Sequence, residues 1–107
     1  MGDTFTRIIE LVAKDDVRIS EHGYDELVED GITIADILEG IGIGRVIEEY
    51  QQFPKGPSVL VLQFDRKGNP IHAVWGIPKG FDRPAVLVTA YRPDPARWDE
   101  RFMERRK

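Results

Sequence analysis

Residues 58–77, SVLVLQFDRKGNPIHAVWGI, contain two apolar runs separated by a polar segment rich in turn-forming residues. Short runs of Val, Leu and Ile bounded by Gly, Asn and Pro are typical of two β-strands joined by a hairpin. If the reversal over residues 65–70 is symmetric, Phe64 pairs with Ile71. This hairpin is therefore the predicted centre of an antiparallel sheet.

The two-residue periodicity of this hairpin continues on both sides of it. It predicts four strands, separated by loops that contain Gly and Pro: Arg45–Tyr50, Ser58–Asp65, Ile71–Ile77 and Ala85–Tyr91. Strands that follow one another through short reversals form an antiparallel meander.

The segment before these strands has the signals of three helices. Apolar residues at helical spacing from Phe5 predict a first helix, with Asp3 as its cap. Ser20 and Gly31 are suitable start and end residues for a second helix. Thr33, followed three residues later by an aspartate, resembles the capping box of a third helix.

The C-terminal segment predicts one more helix. Asp94-Pro95 places a cap residue before a proline, and the helix over Ala96–Arg105 would align Arg97, Arg101 and Arg105 in a basic stripe. This stripe either contacts phosphate or an acidic partner, or is solvated surface. We therefore predict one α+β domain over residues 1–107, with N-terminal helices and a C-terminal helix packed on a four-stranded antiparallel meander.

The symmetric reversal divides the predicted sheet into two faces. One is entirely apolar and is expected to lie under the helices: Leu60, Leu62, Phe64, Ile71, Ala73, Trp75, Val86, Val88 and Ala90. The other places Gln63, His72 and Thr89 side by side, with Tyr91 two residues further along. A mixed face of this kind is typical of a shallow binding surface. The alternative is that His72 only satisfies hydrogen bonds within the sheet.

The overall composition excludes several classes of protein. The 107 residues include no cysteine, which excludes disulfides and thiolate metal sites. The acidic residue pairs have no histidine at ligand spacing, so we expect neither a metal nor a cofactor. There is no apolar run of membrane-spanning length and no signal-peptide pattern, and we expect a cytoplasmic location.

The net charge of −4 is unevenly distributed along the chain. Residues 1–50 contain four basic and thirteen acidic residues, a net charge of −9, whereas residues 51–107 contain eleven basic and six acidic residues, a net charge of +5. Two interpretations remain open. The halves attract each other within the fold, or the basic half forms a face that attracts phosphates.

Several motifs in order along the chain resemble a bacterial family of small domains of unknown function. They are S-x-H at Ser20, DGI, GRVIEEY, NPIHAVWG and VLVTAYRPDPARW, and the resemblance runs from Ile19 to Trp98. That family looks related to the RelE- and BrnT-like toxins. The resemblance implies a fold of helices on an antiparallel sheet, as in metal-independent ribonucleases such as barnase, and it implies RNA cleavage or RNA binding.

The residues that match these motifs, together with Gln63 of the mixed face and Arg92 next to Tyr91, form a candidate site. His22, His72 and Tyr91 are candidate catalytic residues, because imidazole and phenol groups can transfer protons or bind phosphate. The candidate substrate-binding residues are Ser20, Gln63, Thr89 and Arg92.

The second predicted helix departs from the resemblance, since residues 25–30, DELVED, are acidic where the family usually carries arginines. Two functions therefore remain open. One is a metal-independent endoribonuclease that acts on RNA. The other is a catalytically inactive module that binds a protein, such as an antitoxin, through the mixed sheet face or the acidic helix.

Overall fold

The computed structural model describes residues 3–106. The helices and strands follow one another as α1 (Asp3–Ala13), β1 (Val17–Ile19), α2 (Glu21–Asp30), α3 (Ile34–Gly40), a 3₁₀ turn (Ile41–Ile43), β2 (Arg45–Tyr50), β3 (Ser58–Phe64), β4 (Pro70–Gly76) and β5 (Ala85–Tyr91).

Local signals in the sequence set the ends of the central helices. The side chains of Ser20 and Thr33 each accept a hydrogen bond from the amide three residues on, which begins α2 and α3. Gly31 ends α2 in the left-handed conformation, with φ of 65°. These predicted helix ends are confirmed. The predicted cap Asp3 has a side chain outside the described part of the chain.

The sheet has five strands in the order β1-β5-β4-β3-β2, with β1 parallel to β5 and the other pairs antiparallel. The fold is α+β, but the prediction of a four-stranded antiparallel meander is wrong. The missed strand, Val17–Ile19, is too short to show a two-residue period. Hydrogen bonds of 3.0 Å from Ala85 to the Asp16 carbonyl and from Ser20 to the Leu87 carbonyl hold it in place.

The turn between β3 and β4 has five residues rather than the six of a symmetric reversal. The amide of Asp65 donates to the Asn69 carbonyl at 3.0 Å, and the Asp65 carboxylate accepts two loop amides at 2.9 Å each. Phe64 therefore pairs with Pro70 rather than with Ile71. The predicted register is wrong by one residue, and this slip moves every β3 side chain to the opposite face.

All three α-helices pack on one face of the sheet, which we call the helix face. Its core combines residues of α1, α2 and α3 with strand residues. By the observed register, the central strands place on it Val59, Val61, Gln63, Ile71, Ala73, Trp75, Leu87 and Ala90. The assignment of the β4 residues was right, whereas that of the β3 residues was wrong.

A bulge in β5 shifts its pairing with β4. Val74 lies opposite Thr89, but the next residue, Trp75, lies opposite Leu87, so Val88 is an extra residue. As a result Val86 and Thr89 both lie on the face opposite the helices. We call that face the second face.

The C-terminal segment forms a hairpin and not the predicted helix. Trp98 pairs with Arg105 in an isolated antiparallel bridge. The carboxylate of Asp99 accepts the amides of Met103 and Glu104 at 3.0 and 3.3 Å, which closes the loop between the two sides. Burial of Trp98 against the second face favours the hairpin, because a buried tryptophan contributes much of the available apolar contact. We call residues 97–106 the C-terminal hairpin.

Candidate functional site

The C-terminal hairpin seals His72 against the second face. The His72 side chain has 0 % exposure, and its ring lies 4.4 Å from the Trp98 ring in an edge-to-face arrangement. Its Nε2 lies 2.8 Å from the carbonyl oxygen of Phe102, and its Nδ1 lies 3.3 Å from the Tyr91 hydroxyl. Because a carbonyl only accepts, Nε2 carries a proton and Nδ1 is free to accept from Tyr91.

Burial keeps this imidazole neutral. It lowers the pKa of His72 below the usual 6.5, against the opposite effect of the Phe102 hydrogen bond. Burial also raises the pKa of Tyr91, so its hydroxyl stays protonated and able to donate. His72 therefore attaches the C-terminal hairpin to the sheet through Phe102 and Trp98, and the Tyr91 hydroxyl satisfies its other ring nitrogen.

An ion pair between Arg105 and Glu48 links the C-terminal hairpin to β2 beside His72. Arg105 donates to Glu48 at 3.1 Å and lies 4.8 Å from the centre of the Trp98 ring. The hydrogen bond from Arg105 lowers the pKa of the Glu48 carboxyl, and Tyr50 also donates to it. Burial, together with Glu48, raises the pKa of Tyr50 to about 12.

We call His72, Tyr91, Trp98, Glu48 and Arg105 the histidine cluster. Glu48 was not predicted from the sequence as a member, because the acidic pair Glu48-Glu49 resembles solvated surface. The alternation along β2 could have found it, since Glu48 and Tyr50 are two residues apart and share a face.

A second part of the same face is open to solvent and forms a cavity of about 440 Å³, the open pocket. Its polar residues are Arg18, Ser20, His22, Lys55 and Ser58. Its apolar floor and wall come from Phe53, Ile77, Pro78, Val86 and Val88.

The junction between β1 and α2 positions one side of the open pocket. Ser20 donates to the carbonyl of the bulge residue Val88 at 2.7 Å and accepts from Gly23 at 2.9 Å. A Cβ on Gly23 would lie 2.9 Å from that carbonyl, so glycine allows α2 to approach β5 this closely. Arg18 and His22, on either side of Ser20, are thereby held at the pocket.

The electrostatic character of the open pocket is positive. No Asp or Glu is among its lining residues, and neither Arg18 nor Lys55 belongs to an ion pair formed by residues 3–106. The His22 side chain is 69 % exposed and its Nε2 lies 3.6 Å from Glu26. Phe53 is also exposed, and its ring is available for stacking.

The predicted site residues are separated by the fold. Ser20 and His22 line the open pocket, whereas His72 and Tyr91 belong to the histidine cluster. Arg92 pairs with Asp65 at 2.9 Å beyond the end of β5.

Gln63 was predicted to lie beside His72. It does not, because the register slip places it on the helix face. There its Nε2 donates to the Ile37 carbonyl at 2.8 Å and its Oε1 accepts from Trp75 at 2.9 Å. Thr89 does share the second face with His72, opposite Val74. The predicted polar row of Gln63, His72 and Thr89 is therefore wrong.

The described residues form neither a metal site nor a membrane-spanning helix. In the described part of the chain, no group of three His, Cys, Asp or Glu side chains is placed to hold a metal ion. None of the helices between residues 3 and 106 combines the length and apolar character needed to cross a membrane.

Comparison with known proteins gives one match. No curated protein and no solved structure matches the chain. A family model described as a domain of unknown function, DUF4258, matches residues 19–92, which is more than half of the chain. The match carries no link to RelE- or BrnT-like toxins. The chain belongs to the DUF4258 family of domains of unknown function.

Proposed function

We propose that the protein binds single-stranded RNA in the open pocket. The observation that carries this proposal is a pocket lined by Arg18 and Lys55 and by no carboxylate, in a chain with 19 acidic and 15 basic residues. Because neither cation has a carboxylate partner among residues 3–106, both are available to a phosphate.

The rest of the pocket fits a single strand better than a duplex. Unstacked bases of single-stranded RNA stack on exposed aromatic rings, and Phe53 offers such a ring beside the apolar floor. The Ser20 and Ser58 hydroxyls also line the pocket, but they already donate to the carbonyls of Val88 and Gly56. The resemblance to RelE- and BrnT-like toxins supports the same class of ligand.

Cleavage of the bound RNA is the finer form of this proposal, with His22 as its proton-transfer residue. Attack of the 2′-oxygen forms a new bond to phosphorus and breaks the bond to the 5′-oxygen. His22 accepts the 2′-hydroxyl proton, and the leaving oxygen takes a proton from water. Arg18 and Lys55 stabilise the charge on the phosphorus centre. His72 and Tyr91 have a structural role in this scheme.

The binding test uses a labelled RNA of about 12 nucleotides and fluorescence anisotropy at several salt concentrations. We expect the double variant Arg18→Ser/Lys55→Ser to bind more weakly and to lower the slope of log affinity against log salt by about 1.4, since each phosphate contact in a single strand contributes about 0.7. Lys14→Ser removes an exposed cation outside the pocket and should leave the slope nearly unchanged.

The same samples test cleavage on a denaturing gel in the presence of a chelator. His22→Ala should stop cleavage and leave binding within a few-fold of wild type. Binding without cleavage would reject the endoribonuclease and leave the RNA-binding proposal intact. Absence of RNA binding, or an RNA affinity that is unchanged in Arg18→Ser/Lys55→Ser, would reject the proposal itself.

A second candidate function is protein binding through the outer side of α2. Tyr24 and Val28, one helical turn apart, are 52 % and 73 % exposed. Asp25 and Glu29 lie next to them in sequence and are also exposed. An apolar stripe with an acidic border suits a basic partner segment. The variant Val28→Asp would abolish such binding and leave RNA affinity unchanged.

A further inference from the structure

A second cavity opens on the second face at the other end of β5. It has a volume of about 560 Å³ and is bordered by Tyr91, Arg92, Asp94, Arg97, Arg105 and Arg106. Four arginines thus line one cavity, and Asp94 is the one acidic residue among its lining residues. We call it the arginine cavity.

The C-terminal hairpin creates this concentration of charge. The amide of Arg106 donates to the carbonyl of Arg97 at 2.8 Å, so these two arginines face each other across the hairpin. Like charges placed directly opposite each other are destabilising. The predicted helix would have grouped Arg97 with Arg101 instead, but Arg101 is not among the residues that line the cavity.

The four arginines fall into two pairs. Arg105 is held by Glu48 at 3.1 Å and Arg92 by Asp65 at 2.9 Å, so these two are fixed within the protein. Arg97 is 83 % exposed, and its only carboxylate contact among residues 3–106 is 4.0 Å from Asp94.

Arg106 completes the second pair. It donates through Nε to the Pro95 carbonyl at 2.9 Å and forms no ion pair with any carboxylate of residues 3–106. Arg97 and Arg106 therefore lie opposite each other at the cavity, and among residues 3–106 only the 4.0 Å contact with Asp94 offsets their charge. An anion between them would relieve their mutual repulsion.

We propose that the arginine cavity is a second phosphate-binding site for the same RNA strand, with Arg97 and Arg106 as its ligands. The inference rests on the proposed function of the open pocket. On β5 the open pocket is lined by Val86 and Val88 and the arginine cavity by Tyr91, so their linings lie three to five residues apart, about 10 to 17 Å at roughly 3.3 Å per residue. A strand that crosses this distance places phosphates at both ends.

The experiment compares a long and a short RNA on the same variants. In Arg97→Ser/Arg106→Ser, we expect the affinity for an RNA of about 12 nucleotides to fall about tenfold and its salt slope to fall by about 1.4. The affinity for an RNA of about three nucleotides, which fits in the open pocket alone, should stay unchanged.

The control is Lys14→Ser/Arg101→Ser, which removes the same charge from exposed positions outside both cavities. It should bind both RNAs nearly as well as wild type. Circular dichroism and urea unfolding establish that each variant is folded.

The possible results separate the two proposals. If Arg97→Ser/Arg106→Ser behaves as the control while Arg18→Ser/Lys55→Ser still weakens binding, the arginine cavity is not a phosphate site and the open pocket remains one. If both RNAs lose affinity equally, the arginines act through general charge and the second site is again rejected. If the wild type binds no RNA, both proposals fail.

Discussion

The open pocket and the histidine cluster occupy the same sheet face and contain similar residue types, but in opposite states. In the histidine cluster, Arg105 is bound to Glu48, and both nitrogens of His72 have protein partners. In the open pocket, Arg18 and Lys55 take part in no ion pair of residues 3–106.

This contrast distinguishes polar groups that hold the fold from polar groups that are available to a ligand. A buried polar group without a partner is costly, so the cluster must satisfy its members internally. Exposed cations have no such requirement, because water solvates them. Substitutions in the two regions should therefore affect different properties: stability in the cluster and binding in the pocket.

The largest loss of unfolding free energy is expected from Trp98→Ala in the histidine cluster. Trp98 is 4 % exposed and packs against His72, and truncation of a buried tryptophan costs about 3–5 kcal/mol of unfolding free energy. Urea unfolding measures the loss. Phe81→Ala, at a side chain that is 72 % exposed, is the control and should change stability little. A loss below about 1 kcal/mol for Trp98→Ala would show that the C-terminal hairpin does not seal the cluster.

A smaller change in unfolding free energy is expected when the pH is lowered, because His72 is neutral in the folded protein. Since its pKa is lowered in the folded protein, the unfolded chain takes up this proton first as pH falls. The stabilisation is fully present above about 6.5, the unfolded value, and is lost as pH falls through the folded pKa. One such group adds a slope of at most about 1.4 kcal/mol per pH unit to the unfolding free energy.

His72→Gln tests whether His72 causes this pH dependence, because glutamine can still donate to Phe102 but does not titrate. Unfolding free energies measured from pH 7.5 down to about pH 5 should have a smaller slope in this variant than in wild type. His22→Gln replaces the other histidine, outside the cluster, and should follow the wild type. Equal slopes for wild type and His72→Gln would mean that burial does not hold His72 neutral.

The parts of the fold that short sequence signals specify were predictable. The Ser20 and Thr33 caps and the left-handed Gly31 depend only on neighbouring residues, and they fixed the ends of α2 and α3. The ranges of β2 and β5, and those of β3 and β4 to within one residue at their ends, followed from apolar runs bounded by turn residues. Within the candidate site, His22 and Ser20 were placed together for the same reason, since they are two residues apart.

The remaining features depend on contacts between distant residues. One loop residue fewer between β3 and β4 moved Gln63 to the helix face, where it bonds to Ile37 and Trp75. The pairing of β1 with β5 joins segments about 70 residues apart, and no local sequence pattern predicts it. Lys55 and Arg18 both line the open pocket because of such distant contacts, so their place there was not predicted from the sequence.

The smallest effect on stability is expected in the open pocket. Arg18→Ser and Lys55→Ser each replace an exposed cation that belongs to no ion pair of the described chain, and such surface substitutions usually change the unfolding free energy by less than about 0.5 kcal/mol. Urea unfolding of both variants, next to Arg105→Ser as a cation of the histidine cluster, measures the difference. Arg105→Ser should be the more destabilising change, because it removes the Glu48 ion pair and the contact with Trp98. A loss above about 1 kcal/mol for Arg18→Ser or Lys55→Ser would make these cations structural as well, and an external anion would no longer be needed to explain them.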